Sequence, residues 1–249
     1  MNEIRERIES QMRALNLKGM INRYRELADR ATEGKLRYEE YLSLLLEEEL
    51  NGKTERSVLA RVHKARFPFV KTVEEFDFSF QPGIEEKEVV RLSSIDFIEN
   101  KENLIFLGPP GVGKTHLASG FGVKACQSKY RVLFTTAQKL IEDLMLSVRD
   151  RSITQKLLAY SRLNLLIIDE LGYMPVTKEQ ANLLFQLISM RYEKGSIILT
   201  SNHSFEDWGQ VFQDNVVAAA IIDRLVHHAK IFYINGSSYR LKNKLKTGN

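Results

Sequence analysis

The sequence predicts an α/β fold, a five-stranded parallel sheet between helices, preceded by a small all-helical domain at the N-terminus. Three observations carry this. The first 65 residues are Pro-free and Gly-poor, with apolar residues at helical spacing. From about residue 71, short apolar runs alternate with helical segments, as a parallel sheet covered on both faces requires. One junction between such a run and a helix is a glycine-rich loop of phosphate-binding type.

The 249 residues are enough for one or two domains with a sizeable core. Apolar residues make up 43% and charged residues 27%, with mean hydropathy −0.26, values of an ordinary globular chain. The longest apolar run, Val216 to Ile222, is far too short to cross a bilayer. Met1 to Ser10 carries five charges and no apolar stretch, unlike a secretory signal, so a cytoplasmic location without membrane partners is expected. Cys126, the single cysteine, excludes intrachain disulfides and thiolate-clustered metal sites and reads as a buried thiol.

Charge is divided along the chain. Residues 1–71 hold 15 Lys and Arg against 12 Asp and Glu, residues 72–222 hold 15 against 19, and residues 223–249 hold 6 against 1. Basic ends on an acidic centre suit an anionic polymer such as nucleic acid, and equally suit solvated helix faces.

The elements follow in order. Ile4, Ile8, Met12 and Leu15, then Ile21, Tyr24 and Leu27, then Tyr41, Leu44 and Leu45 mark three or so amphipathic helices, the longest from about Tyr38 to Ala65. Pro68 should stop that helix, because an interior proline loses a backbone bond and clashes with the preceding turn; the domain boundary is expected there, separating residues 1–67 from 71–249. Candidate strands are Leu104 to Leu107, Val132 to Thr135, Leu165 to Asp169, Ile197 to Ser201 and Ile231 to Ile234. The alternating Phe76, Phe78 and Phe80 suit either an adenine-pocket wall or the core side of an edge strand.

Gly108-Pro109-Pro110-Gly111-Val112-Gly113-Lys114-Thr115 follows the first strand and opens a helix. Glycines let the backbone wrap phosphates with its N–H groups exposed, and the helix N-terminus adds positive potential. Lys114 is expected on the β- and γ-phosphates of ATP and Thr115 on Mg²⁺. His116 follows, its ring expected in packing and its backbone N–H near phosphate. Leu165 to Glu170 supplies the acidic strand end, 55 residues after Lys114 at Asp169. Asp169 would help hold Mg²⁺, and Glu170 would orient the water that attacks the γ-phosphate. Asn202 ends another buried strand at the carboxyl edge, where ligands bind, and can read the γ-phosphate. Arg224 is a candidate for stabilising transition-state charge on a neighbour's nucleotide, although by itself it reads as a surface residue in a salt bridge with Asp223 or another nearby Asp or Glu. His227 and His228 are adjacent, would diverge by about 100° on a helix, and are not expected to form a metal pair.

Together these motifs resemble the AAA+ ATPases, and more closely the IstB family of insertion-sequence transposition helpers. The closer match rests on Lys71 to Pro82, the phosphate loop with His116-Leu117, Ile168 to Tyr173, Arg191-Tyr192-Glu193, Thr200 to Asn202, Trp208-Gly209 and Gly236 to Lys242. The resemblance implies ATP-dependent self-association on duplex DNA, target-site selection and stimulation of the partner transposase. It also implies sensor 1 at Asn202, an arginine finger at Arg224 and no C-terminal lid, since only nine residues follow Arg240. Arg240 reads as a partial sensor 2, a DNA contact or a plain surface residue. Related initiators and helicase loaders carry extra helices along the DNA path; the matching stretch, Leu140 to Leu163, holds Arg149, Arg151 and Lys156 as expected phosphate contacts, the alternative being an exposed, solvated helix-loop-helix. A DnaC-like helicase loader is the alternative, separable by preference for single strands and by N-terminal helices that bind a helicase.

Overall fold

The computed structural model describes residues 2–34 and 36–239. Arg240 lies outside the described residues. The chain divides into two compact units, Met1–Ala60 and Arg61–Asn249.

The first unit holds α1 (Asn2–Ala14), α2 (Lys18–Thr32) and most of α3 (Tyr38–Ala65). Met20, Tyr24, Leu27 and Leu45 form its core, with Ile8, Met12 and Tyr41 packed around them. Leu17, which caps α2, offers no side-chain acceptor to the first helical N–H groups. Glu49 on α3 supplies one instead: its buried carboxylate accepts from the N–H groups of Gly19 at 2.7 Å and Met20 at 3.2 Å. Burial would raise the Glu49 pKa, but these bonds, with Lys53 and Arg56 nearby, hold it below its usual value.

In the second unit, α3 stops at Ala65, three residues before Pro68, and Arg66 turns away at φ 62°. Phe78–Phe80 is a short 3₁₀ turn capped by Asp77, and not the edge strand that alternating aromatics suggest. Then come α4 (Glu86–Leu92), α5 (Asp96–Glu99), β1 (Asn103–Leu107), α6 (Lys114–Gln127), β2 (Val132–Thr136), α7 (Ala137–Arg149), α8 (Ile153–Ser161), β3 (Leu165–Leu171), α9 (Lys178–Arg191), β4 (Ser196–Ser201), α10 (Trp208–Val211), α11 (Asn215–Val226) and β5 (Ala229–Tyr233). The five strands are all parallel, in the order β2-β3-β4-β1-β5.

Side chains alternate across the sheet with period two. Ile105, Leu107, Leu166, Ile168, Ile197 and Leu199 face one core, shared with residues of α7, α9 and α11. Leu104, Phe106, Leu165, Ile167, Ile198 and Phe232 face the other, beside Phe121 and Cys126 of α6. Cys126 is buried and burial pushes its thiol up to about 11, so it is an inert apolar filler.

Arg191, at the end of α9, is 1% exposed. Its guanidinium donates to the carbonyls of Tyr160 at 2.6 Å, Leu163 at 3.1 Å and Ser196 at 2.7 Å, joining the end of α8 to the start of β4. Burial pulls its pKa down to about 10, so it remains a cation at neutral pH. Arg191→Met should strand the three carbonyls and cost about 3 kcal/mol. A thermal melt should show a fall of roughly 10 °C. Lysine should not restore it, because one ammonium cannot reproduce the planar fork; an unchanged melting temperature would show that these bonds add nothing.

Candidate nucleotide site

Order β2-β3-β4-β1-β5 brings the carboxyl ends of β1, β3 and β4 together, the edge where an open parallel sheet binds ligands. The phosphate loop leaves β1 there. Gly113 caps α6 at φ 102°, a conformation that L side chains rarely adopt, and a Cβ on it would lie 2.5 Å from the Phe76 ring. Lys114 opens α6, and its ammonium donates to the carbonyls of Gly108 at 2.6 Å and Pro109 at 2.8 Å.

β4 lies between β1 and β3, and its Thr200 ties the site together. The Thr200 hydroxyl donates to Asp169 at 2.5 Å and accepts from the Glu170 N–H at 2.9 Å. Thr115 Oγ1 lies 3.1 Å from both Asp169 oxygens. One buried carboxylate therefore meets a hydroxyl from the loop helix and another from β4. Burial raises the Asp169 pKa above its usual value, while the Thr200 and Thr115 bonds counter it in part. Glu170 is exposed at φ 62°, an uncommon backbone state for a side chain of this kind, held by the Thr200 bond.

A raised value means that the folded state keeps the Asp169 proton to higher pH than the unfolded chain does. Ionised Asp169 thus weakens the fold, and its contribution improves as pH falls through the window just above its ordinary range. Asp169→Asn should stabilise the nucleotide-free protein by roughly 0.5–2 kcal/mol at neutral pH. Its lead over wild type should shrink on acidification through that window; a pH-independent difference between their melting temperatures would remove the burial account.

A cleft of about 520 Å³ runs from the loop past Phe76, Gln81, Thr200, Asn202 and Tyr239, a volume suited to a nucleotide-sized ligand. Pro110, Gly111, Val112, Gly113, Lys114, Thr115, His116 and Glu170 also line it. The His116 ring packs edge-on against Phe76 and bonds the Thr72 carbonyl through Nε2 at 2.9 Å; burial lowers its pKa. The donor set fits ATP with Mg²⁺: loop N–H groups and an ammonium for phosphate, and hydroxyl and carboxylate oxygens for a hard cation.

Arg224 is absent from this cleft. In the last turn of α11, its guanidinium stacks 4.5 Å over Phe185 and neighbours Lys101, Glu193 and His228 near the amino ends of β1 and β4. The Asp223 partnership suggested by sequence is replaced by the Phe185 ring and a 3.4 Å bond to the Ala220 carbonyl. Arg149 and Arg151 are exposed around the α7–α8 turn. Lys156 is half-buried, paired with Asp143 at 3.7 Å and lying over the Tyr160 ring.

Two features escape motif analysis. No motif assigns Thr200 a role; its one signal is a polar residue within a buried apolar strand. The segment Gly236 to Tyr239 crosses the phosphate loop: the Tyr239 N–H donates to the Gly111 carbonyl at 2.9 Å, and Ser238 lies where a Gly111 Cβ would be. Nothing local to that segment predicts this long-range contact.

Fold and site define a P-loop nucleotide-binding protein, with a parallel sheet whose carboxyl edge carries the glycine-rich loop. The chain belongs to the family described as IstB-like ATP binding protein, whose model matches residues 10–247. It is 46% identical over 241 residues to the ATP-binding protein of insertion sequence IS21 from Pseudomonas aeruginosa, covering 97% of this chain and 91% of the relative. Identity is 41% over 241 residues with the insertion sequence IS5376 ATP-binding protein of Geobacillus stearothermophilus, covering 97% and 96%. By structure, it is similar to AMPPCP-bound DnaA from Aquifex aeolicus, with TM-score 0.58 and 20% identity over 74% of this chain and 57% of DnaA. The match thus spans little more than half of DnaA. DnaI matches with TM-score 0.55 and 20% identity over 66% of this chain and 90% of its own length. No helix among the described residues is long and apolar enough to cross a membrane.

Proposed function

We propose that this chain is a Mg²⁺-dependent ATPase that regulates transposition: it self-assembles on duplex DNA with ATP, selects or remodels the target site, and stimulates the transposase of its own insertion sequence. The observation that carries the hydrolytic part is the Thr115–Asp169–Thr200 bonding at the mouth of the phosphate loop, with Glu170 held beside it. Family membership among insertion-sequence ATP-binding proteins supports the transposition setting.

In this reading the loop N–H groups of Gly108 to Thr115 and the Lys114 ammonium grip the β- and γ-phosphates. Mg²⁺, when bound, neutralises charge on the phosphate oxygens. Thr115 and Asp169 hold that ion, and Thr200 keeps Asp169 turned toward it. Glu170 orients the attacking water and accepts its proton, while Asn202 reads the γ-phosphate. Arg224 lies at the far edge of its own sheet, so the nucleotide it serves belongs to the next copy. Arg149 and Arg151 meet DNA phosphates; Lys156, already paired with Asp143, contributes less.

The test is ATP hydrolysis by the purified chain alone, with duplex DNA and with single strands, while complexes are sized in ATP and in ADP. Stimulation and ATP-dependent assembly on duplex DNA are expected, with capture of the transposase to follow. A response confined to single strands would overturn this in favour of a helicase loader.

A further inference from the structure

We infer that Glu193, His227 and His228 form a binding site for a divalent transition metal of the Zn²⁺ class, separate from the nucleotide cleft. These three exposed side chains each present one ligand atom, all within 4.8 Å of one another. Adjacent histidines on a continuous helix would splay apart, but α11 ends at Val226 and His227 is its cap. Both rings follow the last helical residue, and their centroids lie 4.2 Å apart. Glu193 reaches the pair from the turn between α9 and β4, where its backbone is left-handed at φ 56°. Its carboxylate lies 3.3 Å from His228 Nε2.

The surroundings suit ligation. Tyr192 Oη lies 2.7 Å from His227 Nδ1. That bond orients the His227 ring, the kind of outer support that a metal-bound imidazole commonly has. Two imidazoles and one carboxylate, with a fourth position for water, are a frequent donor set for Zn²⁺ and a poor one for Mg²⁺. Tetrahedral bonds of about 2.0–2.2 Å need ligand atoms about 3.4 Å apart. Rotation of exposed side chains covers that difference without moving the backbone. Arg224 and Lys101 share the neighbouring cleft with Glu193 and His228.

The test uses the full chain without a histidine tag or nucleotide, titrated with Co²⁺ as a spectroscopic probe and with Zn²⁺ by equilibrium dialysis. One equivalent of Zn²⁺ and the intense visible bands of four-coordinate Co²⁺ are expected. H227N/H228N should bind at least about tenfold more weakly and lose those bands, and E193Q should weaken binding while leaving the circular dichroism spectrum unchanged. H203N, altered elsewhere on the surface, should bind as wild type does. Equal binding by wild type and H227N/H228N, or only the weak spectrum of six-coordinate Co²⁺, would overturn the site.

Discussion

Mixing Arg224→Ala with Lys114→Ala should restore ATP turnover that neither variant has alone. Arg224→Ala keeps its own phosphate loop, so it should bind ATP yet turn over about 10³-fold more slowly, as when an arginine finger is lost. Lys114→Ala loses the ammonium that sits within the loop and should bind no nucleotide, while its Arg224 remains intact. If Arg224 serves the adjoining copy, random assembly rebuilds a complete interface in up to about a quarter of contacts, because loop and arginine then come from different subunits. The geometry behind this is that Arg224 lies over Phe185, outside the cleft lined by Lys114 and Glu170. Steady-state phosphate release over a range of mixing ratios is the measurement. Additive behaviour without recovery would remove Arg224 from a role between subunits.

Glu170→Gln should bind ATP with little loss and hydrolyse it about 10²–10⁴-fold more slowly, the span expected when a general base is removed. The amide keeps the size and the hydrogen-bonding reach of the carboxylate, so the Thr200 bond to the backbone N–H of this residue is untouched. Phosphate contacts and the Thr115–Asp169 pair also remain, which should leave the ATP-dependent assembly long-lived on duplex DNA. Sizing in ATP and a single-turnover measurement separate the two effects. Turnover within tenfold of wild type would show that Glu170 does not handle the proton. Asp169→Asn makes the complementary case: a firmer fold combined with lost turnover would mean that the buried carboxylate is kept at the expense of stability.

Much of this protein is legible from residue order because its signals are local. Val132, Leu165 and Ile197 begin apolar runs that become β-strands, since strands buried on both faces need no alternation. Tyr38–Ala65 forms the long helix that its spacing predicts, with Pro68 beyond its end. The phosphate loop is equally plain, as glycine spacing and the Lys114-Thr115 pair carry its chemistry within eight residues.

What only the tertiary structure decided involves residues far apart in the chain. Thr200 binds Asp169 because β4 inserts between β1 and β3, a strand order that periodicity does not encode. Arg224 is carried to the opposite edge of the sheet, Lys156 is engaged by Asp143, and the Gly236–Tyr239 segment reaches Gly111. His227 and His228 converge with Glu193 because α11 ends at Val226, just before them, and helical spacing stops predicting direction where the helix stops. Local sequence thus determined the elements and the phosphate chemistry, through backbone preference and apolar periodicity. Packing decided which side chains share a site, because each long-range contact depends on the order in which strands and helices stack.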